Sequence, residues 1–285
     1  MTAVAARGDV VPDAAVTGSA RVPLRAYRAL AGVAFKSLVA YRLQFFLGLL
    51  GNLFLLLSLL YLWRTILREG QQPLGFTWPD MKAYLLIGFV SGTVVSTYTD
   101  WRMAQRILDG SVAVDLAKPV DYQRARLAET LGFAAFEVLA CVIVAAGALA
   151  VFGGVPVPPP GRLALFAVSM LAVVPLKFAV VYMSGLLCFW TQSYMGVSWA
   201  RLALQQLFSG AMVPLVFFPD WLRGIAEALP FQAMAYTPAM LYLGRLEGAE
   251  LWWRLGAQLG WTVLLWWAAR AAWRSASRRL TVHGG

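Results

Sequence analysis

The chain has 285 residues, of which 60% are hydrophobic and 13% are charged, and its formal net charge is +10. Soluble domains carry roughly 25% charged residues, so a water-soluble protein of this length could hardly solvate its surface with so few. The basic residues lie between long apolar runs rather than in a groove-sized patch with exposed aromatics, which argues against nucleic acid as a partner. The composition therefore predicts a polytopic membrane protein in contact with membrane lipid.

The two ends of the chain are predicted to be tails. Residues 1–21 mix charged and small residues and lack the apolar stretch of a signal peptide, so we expect a disordered cytoplasmic tail. Residues 276–285 are expected to form a second cytoplasmic tail. The intervening residues 22–275 are predicted to form one transmembrane domain.

The first ordered element is predicted to be an amphipathic helix. Within residues 22–38, Arg25 and Lys36 fall on one helical face, whereas Leu24 and Leu30 fall on another. This pattern is typical of a helix that lies in the membrane interface, with its charged side toward the headgroups.

Six stretches are predicted to cross the membrane, since a spanning helix needs about 20 apolar residues. They are residues 43–63, 83–101, 130–152, 163–190, 202–218 and 251–269. Most of the tryptophans fall near the ends of these stretches, where an aromatic belt is expected. The fold class predicted from the sequence is therefore all-α, with six transmembrane helices.

The distribution of lysine and arginine predicts the orientation of these spans. With the N-terminus inside, the cytoplasmic segments hold fifteen basic residues and the outer segments hold seven. We therefore expect a multi-pass protein whose N and C termini are both cytoplasmic.

Two connections between the predicted spans are unusual. The loop of residues 102–129 is long enough to hold a short helix, which Pro119 would end. The stretch of residues 219–250 is strongly apolar but is broken by Pro230 and Pro238. It is too interrupted to span the membrane, so we expect two short half-inserted helices that neighbouring protein protects.

Two stretches of sequence carry a family resemblance. Residues 106–129 read RILDGSVAVDLAKPVDYQRARLAE, and residues 229–245 read LPFQAMAYTPAMLYLGR. Four features accompany them in order: an amphipathic first helix, a long inner loop, a short inner loop at residues 191–199, and the broken segment before the last span. In these features the chain resembles the permeases of ABC transporters of the second exporter type, over about residues 22–275.

The resemblance implies that the transmembrane domain is a permease and forms half of a transport pathway. A second permease half, identical or diverged, would complete the pathway, and cytoplasmic ABC ATPase subunits would drive it. The cargo is expected to be amphipathic, such as a drug or a lipid, and the location is expected to be the cell membrane.

The resemblance also assigns residues to two places. The ATPase-coupling loop contains Asp109, Gly110, Asp115, Leu116, Lys118, Pro119 and Asp121. The outer re-entrant segment, which would cap the pathway, contains Pro230, Phe231 and Pro238. From the residues alone, the loop could instead be a cytoplasmic loop whose basic residues only set the orientation of the spans. The outer segment could be an ordinary amphipathic cap on the bundle.

The chain carries no nucleotide-binding motif of its own. A P-loop requires GxxxxGK followed by Ser or Thr, whereas the residues before the four lysines are Phe, Met, Ala and Leu. We therefore expect no catalytic residue, cofactor or metal in this chain, with ATP and magnesium bound by the partner ATPase.

Glu137 and Lys177 are ionisable residues well inside predicted spans. A charge at the centre of a spanning helix costs roughly 2.5–3.5 kcal/mol on insertion scales, so such residues usually face the bundle interior and pair. The two residues form either a gating or substrate-path pair, or a structural ion pair between spans three and four. Asn52, Gln205 and Gln206 are expected to hydrogen-bond between helices, or, as the family resemblance implies, to line the path.

Two other function classes are open from the sequence. A secondary transporter is expected to have broken helices in both halves, whereas only the C-terminal half of this sequence shows a broken segment. An intramembrane enzyme would need clustered His, acidic or Ser/Lys groups within spans, which one carboxylate and one distant lysine do not supply. Co-purification with an ATPase chain would separate the exporter from both.

Overall fold

The computed structural model describes residues 24–40, 42–67, 73–95, 97–116, 118–191 and 193–277. The predicted N-terminal tail lies outside the described residues, as does the C-terminal tail after residue 277. The α-helices of the described residues are α1 (Leu24–Ala40), α2 (Arg42–Ile66), α3 (Trp78–Thr93), α4 (Thr97–Leu108), α5 (Val112–Leu116), α6 (Tyr122–Phe152), α7 (Pro160–Thr191), α8 (Tyr194–Phe208), α9 (Asp220–Ala228), α10 (Tyr236–Leu243) and α11 (Gly248–Ser277). The predicted all-α class is confirmed, and no strand occurs in the described part of the chain.

Three of these helices are long and apolar enough to cross a membrane by length and composition. They are Phe45–Ile66 within α2, all of α6 and all of α7. They coincide with the first, third and fourth predicted spans. The other three predicted spans fall on α3 with α4, on α8 and on α11.

The second predicted span is not one continuous helix. A capping box starts α3, in which the Thr77 hydroxyl accepts a hydrogen bond from the Asp80 N–H and the Asp80 carboxylate accepts one from the Thr77 N–H. The helix ends at Thr93, and α4 starts at Thr97. Val94 and Val95 between them are not helical, and Val95 has φ +59°. We refer to Val94 and Val95 as the break.

The fifth predicted span is shorter than expected. Although the apolar sequence continues to residue 218, α8 ends at Phe208. Gly210 then adopts φ +74°, and the buried Tyr84 hydroxyl donates a 2.6 Å hydrogen bond to its carbonyl. Gly88 of α3 lets this segment approach closely, since a Cβ there would lie 2.8 Å from the Ala211 carbonyl oxygen. The chain leaves the helix here because it packs its backbone against α3.

The two sides of the break belong to different hydrophobic cores. The α3 core joins α3 to α2 and α10 and contains Leu56, Leu60, Met81, Tyr84, Tyr236 and Met240. The α4 core joins α4 to α7 and α11 and contains Met103, Ala104, Ile107, Phe178, Tyr182 and Ala269. Val94 and Val95 pack in a small separate cluster with Ala134 and Val181.

The predicted amphipathic first helix is present as α1, which crosses α6 at very short range. A Cβ on Gly132 of α6 would lie 2.1 Å from the carbonyl oxygen of Ala31, so a glycine is required at this crossing. Ala34 and Leu38 of α1 bury their side chains beside Phe133 of α6. This packing fixes α1 against the bundle.

The broken apolar segment before α11 forms two short helices, as predicted. A short 3-10 helix, Pro230–Met234, joins α9 to α10, and almost every side chain from Pro230 to Leu241 is buried. Pro238 lies in the first turn of α10, where its missing N–H costs no helical hydrogen bond. Neighbouring helices therefore enclose this segment, as its apolar composition requires.

Candidate functional site

Lys177 of α7 holds the end of α3 at the break. Its ammonium group donates hydrogen bonds to the carbonyl oxygens of Ser91 at 2.9 Å and Gly92 at 2.8 Å, and also to that of Val94. The last carbonyls of a helix have no partner within the helix, and a cation is favourable at that end of the helix dipole. Lys177 is 3% exposed, so it satisfies these carbonyls inside the protein.

Glu137 of α6 holds the other side of the break. Its carboxylate accepts a 2.8 Å hydrogen bond from the Val95 N–H, and its side chain is fully buried. A β-branched residue with positive φ is a conformational outlier that persists only when its surroundings determine it. Glu137 is one such determinant, because it bonds the backbone of this residue directly.

The two intramembrane charges therefore share a target that the sequence does not reveal. Glu137 and Lys177 attract each other, and both bind backbone groups within the stretch from Ser91 to Val95. We refer to Glu137 and Lys177 as the clamp. Whether the clamp acts in gating stays a prediction.

The segment between α4 and α6 contains the short helix predicted for the coupling loop. Gly110 makes the turn after α4 with φ +75°, and Asp109 accepts a 2.9 Å hydrogen bond from the Ser111 N–H. The helix α5 then ends at Leu116, close before Pro119 as predicted. The Asp121 side chain caps α6 by accepting a 2.9 Å hydrogen bond from the Arg124 N–H.

Asp115 orders this loop from within. It is 4% exposed and pairs with Arg106, with Lys118 at 2.7 Å and with Arg126 at 3.7 Å. Burial disfavours its charged form, but the hydrogen bonds from Lys118 and Arg106 and the nearby Arg126 charge outweigh burial and lower the pKa of Asp115. The Asp115 carboxylate is therefore enclosed by the loop's own basic side chains, and its role in coupling to an ATPase stays a prediction.

The loop has an exposed apolar side chain next to a buried one. Val112 is buried, whereas Val114 is 65% exposed, and Lys118 and Pro119 are exposed beside it. The side chain of Leu116 lies outside the described residues. Val114 with Lys118 is thus the described apolar and basic surface that the loop presents.

The start of α6 attaches the loop to α11. The Tyr122 ring stacks on the Trp273 ring with centroids 4.2 Å apart, and Gln123 donates a 3.1 Å hydrogen bond to the Trp266 carbonyl. Asp121 also pairs with Arg270 at 3.2 Å. The loop is therefore attached to the last helix as well as to α4.

The polar residues predicted on the first and fifth spans have different environments. Asn52 of α2 and Gln206 of α8 are exposed among apolar side chains. Gln205 is half-buried, accepts a hydrogen bond from Arg201 and donates one to the Met234 sulfur at 3.7 Å. Gln205 therefore connects α8 to the segment before α11, as an interhelical group would.

A polar network that sequence reasoning missed holds the segment before α11. Arg254 of α11 pairs with Glu227 of α9 at 3.0 Å and donates a 2.7 Å hydrogen bond to Gln232. Gln258, one turn further along α11, is fully buried and donates to the Ala233 carbonyl at 2.8 Å. The detectable signal was the four-residue spacing of two polar residues in a long apolar helix, which predicts one polar stripe.

The predicted re-entrant residues lie where this network holds them. Pro230 and Pro238 are buried, and Phe231 is half-buried against Leu176 and Met234. Within the described residues, no group of His, Cys, Asp and Glu has the arrangement of a metal site.

The fold and these sites define an all-α polytopic membrane protein with buried charges at helix breaks. The family model of ABC-2 family transporter proteins matches residues 53–284, which is most of the chain. The chain therefore belongs to the ABC-2 transporter family and is an ABC transporter permease. A comparison with curated proteins found no significant match.

Proposed function

We propose that this chain is the permease half of an ATP-driven exporter and that the segment between α4 and α6 docks onto a separate ATPase. The observation that carries the proposal is the loop itself. A buried Asp115 bound by three basic residues gives it a fixed shape, while Val114 and Lys118 face outward. An exposed apolar side chain with a basic neighbour on an ordered loop is a surface suited to a partner's groove.

The partner chain supplies the energy in this proposal. ATP and magnesium bind the ATPase, and this permease contributes no residue to nucleotide binding. The bias of basic residues supports a cytoplasmic location of the loop, on the side where the ATPase would lie. The cargo class we propose is amphipathic, such as a drug or a lipid, moved across the cell membrane.

A second permease half would cover the exposed polar groups on α2 and α8. An amide in contact with lipid tails leaves its hydrogen bonds unmade, which is unfavourable. Asn52 of α2 and Gln206 of α8 both occupy exposed positions. We propose that a second copy or a diverged partner packs on these faces and bonds these amides.

The test is a charge placed on the docking surface. Val114→Asp is expected to release the ATPase on purification or to abolish cargo-stimulated ATP hydrolysis, with normal membrane insertion. Val157→Asp is the matched control, because Val157 is a valine 79% exposed in the connection between α6 and α7. Leu116→Asp is expected to behave like Val114→Asp. Normal transport and ATPase binding in both loop variants would reject the docking assignment.

One observation favours secondary transport as the alternative. The break in α3–α4 adds an interrupted helix to the N-terminal half, so the expectation that only the C-terminal half is broken is corrected. Secondary transporters use such breaks to bind coupling ions. Here the Lys177 ammonium already occupies the carbonyl oxygens, and family membership indicates an ATP-driven system. Transport in vesicles without ATPase but with an ion gradient would support the alternative.

A further inference from the structure

We infer that the break between α3 and α4 is the pivot of the coupling movement, and that Glu137 and Lys177 are the positioning residues that hold this pivot. The inference rests on the proposed docking of an ATPase at the loop. It assigns the clamp a role in transmission and not in cargo contact.

The side chains of α3 and α4 pack in different cores, α3 with α2 and α10 and α4 with α7 and α11. The helices α6, α7 and α11 contribute side chains to both cores without interruption. The helix formed by α3 and α4 is instead interrupted at the break, so α4 can change its angle while α3 keeps its packing.

An ion pair joins α4 and the loop into one body. Asp115 of α5 binds Arg106 of α4 and also lies 3.7 Å from Arg126 of α6. The Arg106–Asp115 ion pair therefore bridges the turn at Gly110. A displacement of Val114 is then transmitted to α4, because the connection between them is not flexible.

The surface of α7 on which α4 would turn is smooth at the contact with α4. Met103 of α4 lies over Gly185 of α7, where a Cβ would be 3.0 Å from the Met103 methyl carbon. Methionine is unbranched and adapts its shape, and glycine offers no side chain to obstruct it. This contact permits a change of angle more easily than interlocked branched side chains would.

The pivot is fixed to its neighbouring helices by hydrogen bonds. Lys177 ties the α3 carbonyls to α7, and Glu137 ties the Val95 N–H to α6. Without these bonds, a push on the loop would unwind or shift the end of α3 and would be lost before it reached the pathway. The clamp keeps the axis in place so that the rotation of α4 is productive.

Coupling ratios in variants test the role of the clamp. Lys177→Met keeps the length of the side chain and removes its charge, and it is expected to lower transport per ATP hydrolysed on the order of tenfold at equal protein in the membrane. Lys177→Arg and Glu137→Gln retain hydrogen bonding to the backbone and should recover most of the ratio. Glu137→Leu should lower the ratio of transport to ATP hydrolysis. The double variant Glu137→Leu/Val95→Gly should recover part of that ratio, because glycine accepts positive φ freely. A merely structural clamp would lower protein yield and leave the ratio unchanged in every variant.

Distances between spin labels test the pivot directly in the assembled transporter with its ATPase, with Cys141 and Cys188 replaced by alanine. One pair, Leu108→Cys with Leu187→Cys, spans α4 and α7, and the other, Pro79→Cys with Leu163→Cys, spans α3 and α7; all four positions are exposed. ATP is expected to shift the first distance distribution and leave the second unchanged. Equal shifts in both pairs, or a shift in the second alone, would overturn the pivot. Failure of the unsubstituted chain to co-purify with an ATPase, measured separately, would reject the proposed docking and the pivot with it.

Discussion

The ammonium group of Lys177 lies 2.8 Å from the carbonyl oxygen of Gly92, although 85 positions separate the two residues in the chain. Through this bond α7 closes the C-terminal end of α3 inside the protein. The buried lysine of a spanning helix thus serves the backbone of another helix, and its partner Glu137 does the same for Val95.

Removing the charge of Lys177 should lower the stability of the folded protein, because α3 depends on Lys177 to satisfy its last carbonyls. In Lys177→Met, the carbonyl groups of Ser91, Gly92 and Val94 lose their shared donor. Ser91 and Val94 are buried, and an unsatisfied buried group costs about 1–3 kcal/mol. We expect a lower Tm in detergent, measured by tryptophan fluorescence. Glu137→Gln should cost less, since its amide oxygen still accepts from Val95. If the double variant equals the sum of the singles, the two charges do not act together.

The crossing of α1 and α6 predicts that alanine substitutions at two glycines of α6 differ sharply in their effect on thermal stability. Gly132→Ala places a methyl group 2.1 Å from the Ala31 carbonyl oxygen, so α1 must move away, at a cost of about 1–3 kcal/mol for overpacking. Gly147→Ala meets no atom within 4 Å and is the control. Thermal unfolding of both purified variants provides the comparison. An equal effect of the two substitutions would show that α1 does not pack on α6 at this point.

The Asp115 cluster predicts a pH dependence of loop order. The pKa of Asp115 is lowered in the folded protein, so its ionised form stabilises the loop above the unfolded-state pKa of about 3.9. This stabilisation should decline as the pH falls below about 4, through the lower pKa of the folded state. Hydrogen exchange or limited proteolysis of the loop measures it. Asp115→Asn should show the loosened loop at neutral pH, whereas Asp109→Asn, at an exposed position, should not.

The orientation of the chain can be tested by labelling intact cells. On a background without Cys141 and Cys188, a cysteine at Ser111 should be protected from an impermeant thiol reagent, and one at Gly154 should react. Both positions are exposed in the fold, so accessibility depends on the side of the membrane and not on burial. Reaction at position 111 from outside would reverse the assigned topology.

The sequence predicts the long helices because their signal is local. A long and predominantly apolar run of residues defines α2, α6 and α7, and two prolines mark the short helices before α11. The break in α3–α4 has no such signal. Val94 and Val95 are apolar and no proline is near, so the helix ends there because α6 and α7 supply distant partners for its backbone.

In the coupling loop, the sequence predicts the helix but not which side chains are buried. Its composition predicts a short helix with charged and apolar residues, and α5 is present. Which charges face outward depends on where Arg106 and Arg126 reach, and both reach inward to Asp115. A pattern within the loop alone could not show that Asp115 is enclosed or that Val114 and not Val112 is exposed.

Site-specific photocrosslinking determines whether the loop between α4 and α6 contacts an ATPase. A photoreactive amino acid replaces Val114 in one sample and Val157 in another, and each is illuminated in membranes that contain the co-expressed ATPase. We predict a crosslinked product of permease and ATPase from position 114 and none from position 157, because only the first lies on the proposed docking surface. A product from position 157 alone, or from neither position while the ATPase still co-purifies, would contradict the claim.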